Sequence, residues 1–266
     1  MRTTPVVVLL LASLAVYAAD TARPGIVVNP TTDRIVPQVV DGGDGWSTSF
    51  FLTSLEATGP IFWEIRFFGN GGLPLTLPIQ GVGIAQRLFA SLPPNWSVTI
   101  DTTGGSPVLQ EGWAVVTTYD RSADQPGAAV ISARIAGLAT FRQRVAGRPD
   151  FEAVVPFSPA NETRLVMPFD NRAGFSTGIA WLNPDPSNAA PVQVTILRPD
   201  ATLLGTEAFN IGPGAKLVFS MPARYPQAAG QQGRILVETT GRLFSALGLR
   251  FNPGGAFTSF HALSSP

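Results

Sequence analysis

His261 is the only histidine of this 266-residue chain, so any imidazole chemistry rests on it. A Ser-His-Asp hydrolase would need it beside a nucleophile, but no G-x-S-x-G elbow accompanies it. It stands in the last apolar segment among Phe257, Phe260 and Leu263, where a lone histidine reads as structural. A histidine-based metal site is excluded by count, and with no cysteine there is no thiolate site. A cation would have to be calcium on oxygen ligands. DGGDG at 41–45 is the candidate stretch, although its second Asp aligns with Ala173 in a repeat described below. Asp150 and Glu152 share a strand face, as a glycosidase carboxylate pair could, but the solvated end of a hairpin explains them equally well. No phosphate loop or dinucleotide fingerprint occurs. These residues point to a non-catalytic protein that needs neither cofactor nor metal.

The elements that carry these residues are short and turn-rich. Gly (27) and Pro (24) make up about a fifth of the chain, which suits many brief strands. The length fits two domains of about 100–120 residues, each able to bury its own core. Lys+Arg equals Asp+Glu at 18 each, and only 14% of residues are charged. That lacks the basic footprint of a nucleic-acid binder and the polybasic cluster of an anionic-lipid binder. A surface so poor in charge contacts its partners through shape, aromatics and backbone, and has little electrostatic protection against self-association.

The stretch GWSTSFFLTSL at 45–55 returns as GFSTGIAWLNP at 174–184. At the same offset Asp41 meets Asp170, and Trp63, Ile65 and Phe67 meet Val192, Val194 and Ile196. Between them stand Glu64 and Arg66, or Gln193 and Thr195. This is period-2 alternation, which predicts one face in the core and the other in water. Trp63 and Trp181 fall on the core face. Further along, LPPNWSVTI (92–100) aligns with IGPGAKLVF (211–219), and GWAVVTT (112–118) with GRILVET (233–239). ATFRQRV (139–145) aligns with LGLRFNP (247–253), matching Arg142 to Arg250. Asp41 and Asp170 occupy the turn before a strand, where Asp accepts from backbone N–H groups.

The predicted fold is all-β: two tandem antiparallel β-sandwiches from an internal duplication. Domain 1 spans 34–157, a linker 158–163 and domain 2 164–266. The layout resembles tandem bacterial immunoglobulin-like or fibronectin-type-III-like domains, with Trp63 on an early strand and GNGGLPL (69–75) as a Gly-rich hairpin. The WST and FRQRV…GRPDFEAVVP segments are also similar to a group of bacterial secreted proteins. That resemblance implies architecture and carries no activity. The first residues, MRTTPVVVLLLASLAVYAAD, read as a signal peptide over 1–18 with Val16 and Ala18 at the cleavage positions. Residues 19–33 form an N-terminal extension, and no transmembrane segment is expected in the mature chain.

Trp46, Phe51 and Trp96 are poorly explained by core alternation; as solvent-facing aromatics they would stack on sugar rings or anchor a protein. Between the second and third aligned blocks the first copy carries extra residues, centred on YDRSADQPGAAVISA at 119–133. Asp120, Arg121, Asp124 and Gln125 at its start are candidate partner contacts. The expectation is a secreted or cell-envelope structural or adhesive module that meets a protein or glycan. A carbohydrate-binding protein using exposed aromatics is the second reading. A transmembrane β-barrel or a glycoside-active enzyme ranks below both.

Overall fold

The computed structural model describes residues 17–18, 28–43, 45–159, 162–240 and 243–264. The expected signal peptide and extension lie largely outside these residues, as do Asp44 and part of the proposed linker. The first half contributes β1 (Tyr17–Ala18), β2 (Arg34–Asp41), β3 (Trp46–Ser54), β4 (Ile61–Gly69), β5 (Leu77–Ile79) and β6 (Gly83–Ala85). It continues with β7 (Arg87–Leu92), β8 (Ser97–Asp101), β9 (Gln110–Tyr119), β10 (Ile135–Gln143) and β11 (Phe151–Pro156). The second half holds β12 (Arg164–Asp170), β13 (Ser176–Leu182), β14 (Ala190–Leu197), β15 (Leu203–Ile211) and β16 (Lys216–Ser220). A single helical turn, α1 (Met221–Arg224), precedes β17 (Gln232–Thr239), β18 (Ser245–Phe251), β19 (Phe257–His261) and β20 (Leu263–Ser264).

These strands form four large antiparallel sheets. Sheet I runs β1-β7-β4-β9-β2 and sheet II runs β11-β10-β3-β8. Sheet III runs β15-β14-β17-β12-β20 and sheet IV runs β16-β13-β18-β19. The inner faces bury the alternating apolar positions read from the sequence. Trp63, Ile65 and Trp181 are completely buried, and Phe67 nearly so.

Ladder partners repeat between the halves. Trp63, Ile65 and Phe67 pair with Thr118, Val116 and Ala114. Val192, Val194 and Ile196 pair with Thr239, Val237 and Ile235. Phe50 faces Ile100 as Ile179 faces Phe219. Asn95 (φ 60°) and Gly214 (φ 63°) take the same left-handed turn before β8 and β16.

One aligned pair is corrected by this register. Thr48 pairs with Phe141, whereas its counterpart Thr177 pairs with Arg250. Arg250 therefore stands where Phe141 stands, and Arg142 corresponds to Phe251. A one-residue slip moves a side chain to the other face of a strand, so the shared arginine misaligned the two blocks. The strand order also differs from the immunoglobulin one, in which the last strand lies beside the sixth. Here β10 leaves β9 and pairs with β3 in the opposite sheet, and β18 pairs with β13.

Sheet I is covered on both faces, which overturns the expectation that Glu64 and Arg66 stand in water. Glu64 is fully buried. It pairs with Arg87 at 2.9 Å and accepts from the Tyr119 hydroxyl at 2.8 Å. Arg66 lies 3.6 Å away. The cover has two parts. Ala123, from the loop after β9, packs with Phe89 and Tyr119. Farther along the sheet, Ile35, Phe68, Trp113 and Val115 pack against Leu182 of the second half.

The halves are joined at a second place. The open side between sheets I and II, at edge strands β2 and β11, is closed by the outer face of sheet IV. Ala180, Leu247 and Phe257 belong to the first core, with Leu249 and Phe251 packed against it. Phe257 stacks on Trp46 and Phe141, with ring centroids 5.5 and 5.4 Å apart. Pro37 and a bulge interrupt β2, as suits an edge strand.

Candidate functional site

The two equivalent Asp turns are built differently. Asp41 is fully buried, and its carboxylate accepts from the backbone N–H groups of Gly104 (2.7 Å) and Ser106 (3.2 Å). Gly42 keeps a positive φ there, and a Cβ on it would strike the Ser106 carbonyl. This turn is structural. Asp170 is partly exposed and accepts from Arg172 and from Arg250, each at 2.9 Å. Those hydrogen bonds, foremost from Arg172, hold the Asp170 carboxyl down at about 2, against the opposing effect of partial burial.

Asp170 sits on the rim of a cleft of about 550 Å³. The cleft opens between β12 and β19, the side of sheets III and IV that matches in ladder register the side of sheets I and II closed by Phe257. Phe169, Phe260 and Pro168 form apolar walls, and Arg234, Arg250 and Gln232 supply polar groups. The Arg250 guanidinium lies 3.7 Å from the centroid of the Phe175 ring. In the first half the same two positions hold Phe141 and Trp46, and the space is filled with aromatic rings. The exchange of Phe141 for Arg250 leaves a polar opening in the second.

The candidate contact residues fall into three places. Trp46 is half-buried in the aromatic cluster with Phe141 and Phe257, so the structure corrects the reading of it as a solvent-facing platform. Phe51 (39% exposed) and Trp96 (42% exposed) do face solvent. Phe51 lies opposite Thr99 on the outer face of sheet II, and Trp96 stands beyond it in the turn that leads into β8. Around Phe51 that face carries Leu138, Thr140, Val154 and the charged pair of strand neighbours Arg142 and Glu152. Val154 is 42% exposed.

Asp120, Arg121, Asp124 and Gln125 are exposed on the loop after β9. Asp120 pairs with Arg121 and accepts from the Ala129 N–H, while Ser122 donates to Asp124. These local bonds, led by Arg121 and by Ser122 respectively, lower both carboxyls. The same loop turns Ala123 inward over Glu64, so its underside is packing. Asp150 lies 3.6 Å from Arg142, Glu152 is exposed beside them, and His261 is exposed at the end of β19.

Sequence reasoning missed Arg234, Arg250 and Phe260 as cleft residues. A signal was available: Arg234 replaces Trp113 in the aligned block GWAVVTT/GRILVET, a charge in place of a core-type aromatic. The geometry offers guanidinium donors, aromatic walls and an exposed apolar sheet face. It assembles no nucleophile with a base, and no group of three or more metal-ligating side chains occurs among the described residues. No known family model matches the chain, and no curated protein matches it.

Proposed function

We propose that this chain is a non-catalytic, exported structural or adhesive module made of two duplicated β-sandwiches that meet at residues 158–163. The observation that carries the reading is the outer face of sheet II. The outer face of sheet I is covered by a loop and by the second half, and that of sheet IV is buried over Ala180, Leu182 and Leu247 while Val218 at its edge stays exposed. Sheet II leaves Phe51, Val154 and Trp96 in solvent. An exposed apolar cluster rimmed by polar residues marks an interaction surface. Export rests on the apolar leader, and cleavage after Ala18 would remove β1 from its place on Leu88 and Phe89. A pull-down from envelope fractions with the purified protein tests the module reading. Loss of the captured partner on Phe51→Asp is the expected result, and capture unaffected by that change would sink it.

A glycan-binding role is supported by a different surface. The outer face of sheet III forms an open basin of about 760 Å³ with Gln193, Asn210, Glu238, Thr240 and Arg164 around it. Side chains of these types hydrogen-bond to sugar hydroxyls. A glycan array compared between the native protein and Gln193→Ala separates this reading from the first.

A further inference from the structure

The junction inside the chain has a second, unfilled copy of itself. In the first half, the opening between β2 and β11 and the outer patch Ile35, Phe68, Trp113 and Val115 are covered by the second half. The covering surface is the outer face of sheet IV together with the turn before β16, and Trp113 Nε1 donates to the Gly214 carbonyl in that turn. Ladder register gives the counterpart of every part. The opening corresponds to the Arg250 cleft. The outer patch corresponds to Val166, Leu197, Arg234 and Leu236, which are only half-buried. The covering face corresponds to sheet II, where Phe51 matches Ala180, Leu138 matches Leu247 and Glu152 matches Phe257. The covering turn corresponds to Asn95–Trp96.

We propose that the cleft of the second half receives the outer face of sheet II of a second copy of this chain, so that copies add head to tail. The proposal rests on reading the halves as repeats. Substitutions at the two surfaces are matched in charge. Within the chain Phe257 meets Phe141; between copies Glu152 meets Arg250 instead, whose guanidinium already holds Asp170 and would be shared between the two carboxylates. Where Trp113 donates to the Gly214 carbonyl, Arg234 faces the Asn95 turn, and Arg234 has no ion-pair partner among the described residues. Phe51, Leu138 and Val154 then leave water against Val166, Leu197 and Leu236. The two surfaces differ, so the contact is heterologous and leaves a free cleft at one end and a free face at the other. A chain of zero formal net charge has little net repulsion to oppose such growth.

The test is sedimentation of the purified protein over a concentration series. Native protein is expected to form a concentration-dependent ladder of oligomers. Glu152→Arg, Phe51→Asp and Arg250→Glu should each weaken association at least tenfold; thermal melts check that each variant is folded. Should Arg250→Glu unfold beside Asp170, Arg234→Glu takes its place. The diagnostic is a mixture of Phe51→Asp with the cleft variant. Each blocks one surface, so the mixture should stop at a 1:1 dimer while each variant alone stays monomeric. A native protein that is monomeric at its highest soluble concentration overturns the proposal. So does association that these changes leave untouched, including a closed symmetric dimer.

Discussion

Lys216, in the second half, is buried to its ammonium, and its Nζ donates to the Gly112 carbonyl of the first half at 2.7 Å. Gln38 accepts from the same ammonium at 2.7 Å, and Glu111 lies at 3.4 Å. The Lys216 backbone N–H donates to the Asn70 carbonyl. One residue thus ties β16 to β2, β9 and the β4 hairpin, and it brings a charge into a dry junction.

That charge makes the junction pH-dependent. Burial drives the Lys216 ammonium down to about 8 from 10.5, although Glu111 opposes the fall. Between those values the unfolded chain binds the proton and the native one releases it, so Lys216's contribution to stability rises with pH through that window. Burial tends to raise the Glu111 carboxyl, but Lys216 with the Gln38 and Asn70 amides outweighs it and leaves it low. Its contribution is present above 4.5 and disappears as pH falls through the lower native value. Glu111→Gln should therefore cost about 1–3 kcal/mol at pH 7, where Lys216 is charged. Urea unfolding should give a smaller cost at pH 10, where Lys216 is neutral. Equal costs at both pH values would show that the pair does not carry the junction.

Trp63 and its neighbour Glu64 point to opposite faces of β4, and both are fully buried. Trp63→Ala should cost about 3–5 kcal/mol as a large core truncation. Period-2 logic alone would make Glu64→Ala silent. Its removal instead leaves Arg87 as an uncompensated buried charge, which costs about 3–5 kcal/mol. Chemical denaturation of the two variants decides it: a loss under about 1 kcal/mol for Glu64→Ala would mean that its cover opens in solution.

Strand positions and inner faces were legible because alternation at Trp63-Ile65-Phe67 repeats at Val192-Val194-Ile196, and each stretch supports the other. Alternation names two faces; it does not say whether the second is dry. Glu64 stays buried because Arg87, Tyr119 and the loop carrying Ala123 reach it from other strands, a tertiary fact with no local trace. The continuous apolar run in GWAVVTT was the available hint, since a strand covered on both faces loses its alternation. Arg142 and Arg250 mislead through identity of type: the sequence offers a shared charge where the ladder sets Arg250 against a ring, Phe141. The cleft was invisible for that reason, because it exists where Arg250 fails to fill the space that Phe141 fills.

The loop from Asp120 to Ser132 gives the last prediction. Its sequence reads as an insertion whose polar start offers partner contacts. The structure gives its underside a different task. Ala123 is 1% exposed and joins Phe89 and Tyr119, with Phe62 and Ala128 against them. The Ile131 carbonyl accepts from the Thr118 hydroxyl, which ties the far end of the loop back to β9. Replacing the loop with a short turn would wet these apolar groups and admit water to the Glu64–Arg87 pair. At about 25 cal/mol per Å² of apolar area plus the newly hydrated charges, the loss should be roughly 2–4 kcal/mol. Sheet II lies in the opposite layer and keeps Phe51 and Glu152, so oligomer formation should survive wherever the shortened protein is folded. A point change at the tip, Asp124→Ala, should leave stability within about 0.5 kcal/mol, as is usual for exposed sites. Thermal melts and sedimentation on both variants separate the roles: a shortened chain as stable as the native one, yet unable to associate, would return the loop to the contact surface.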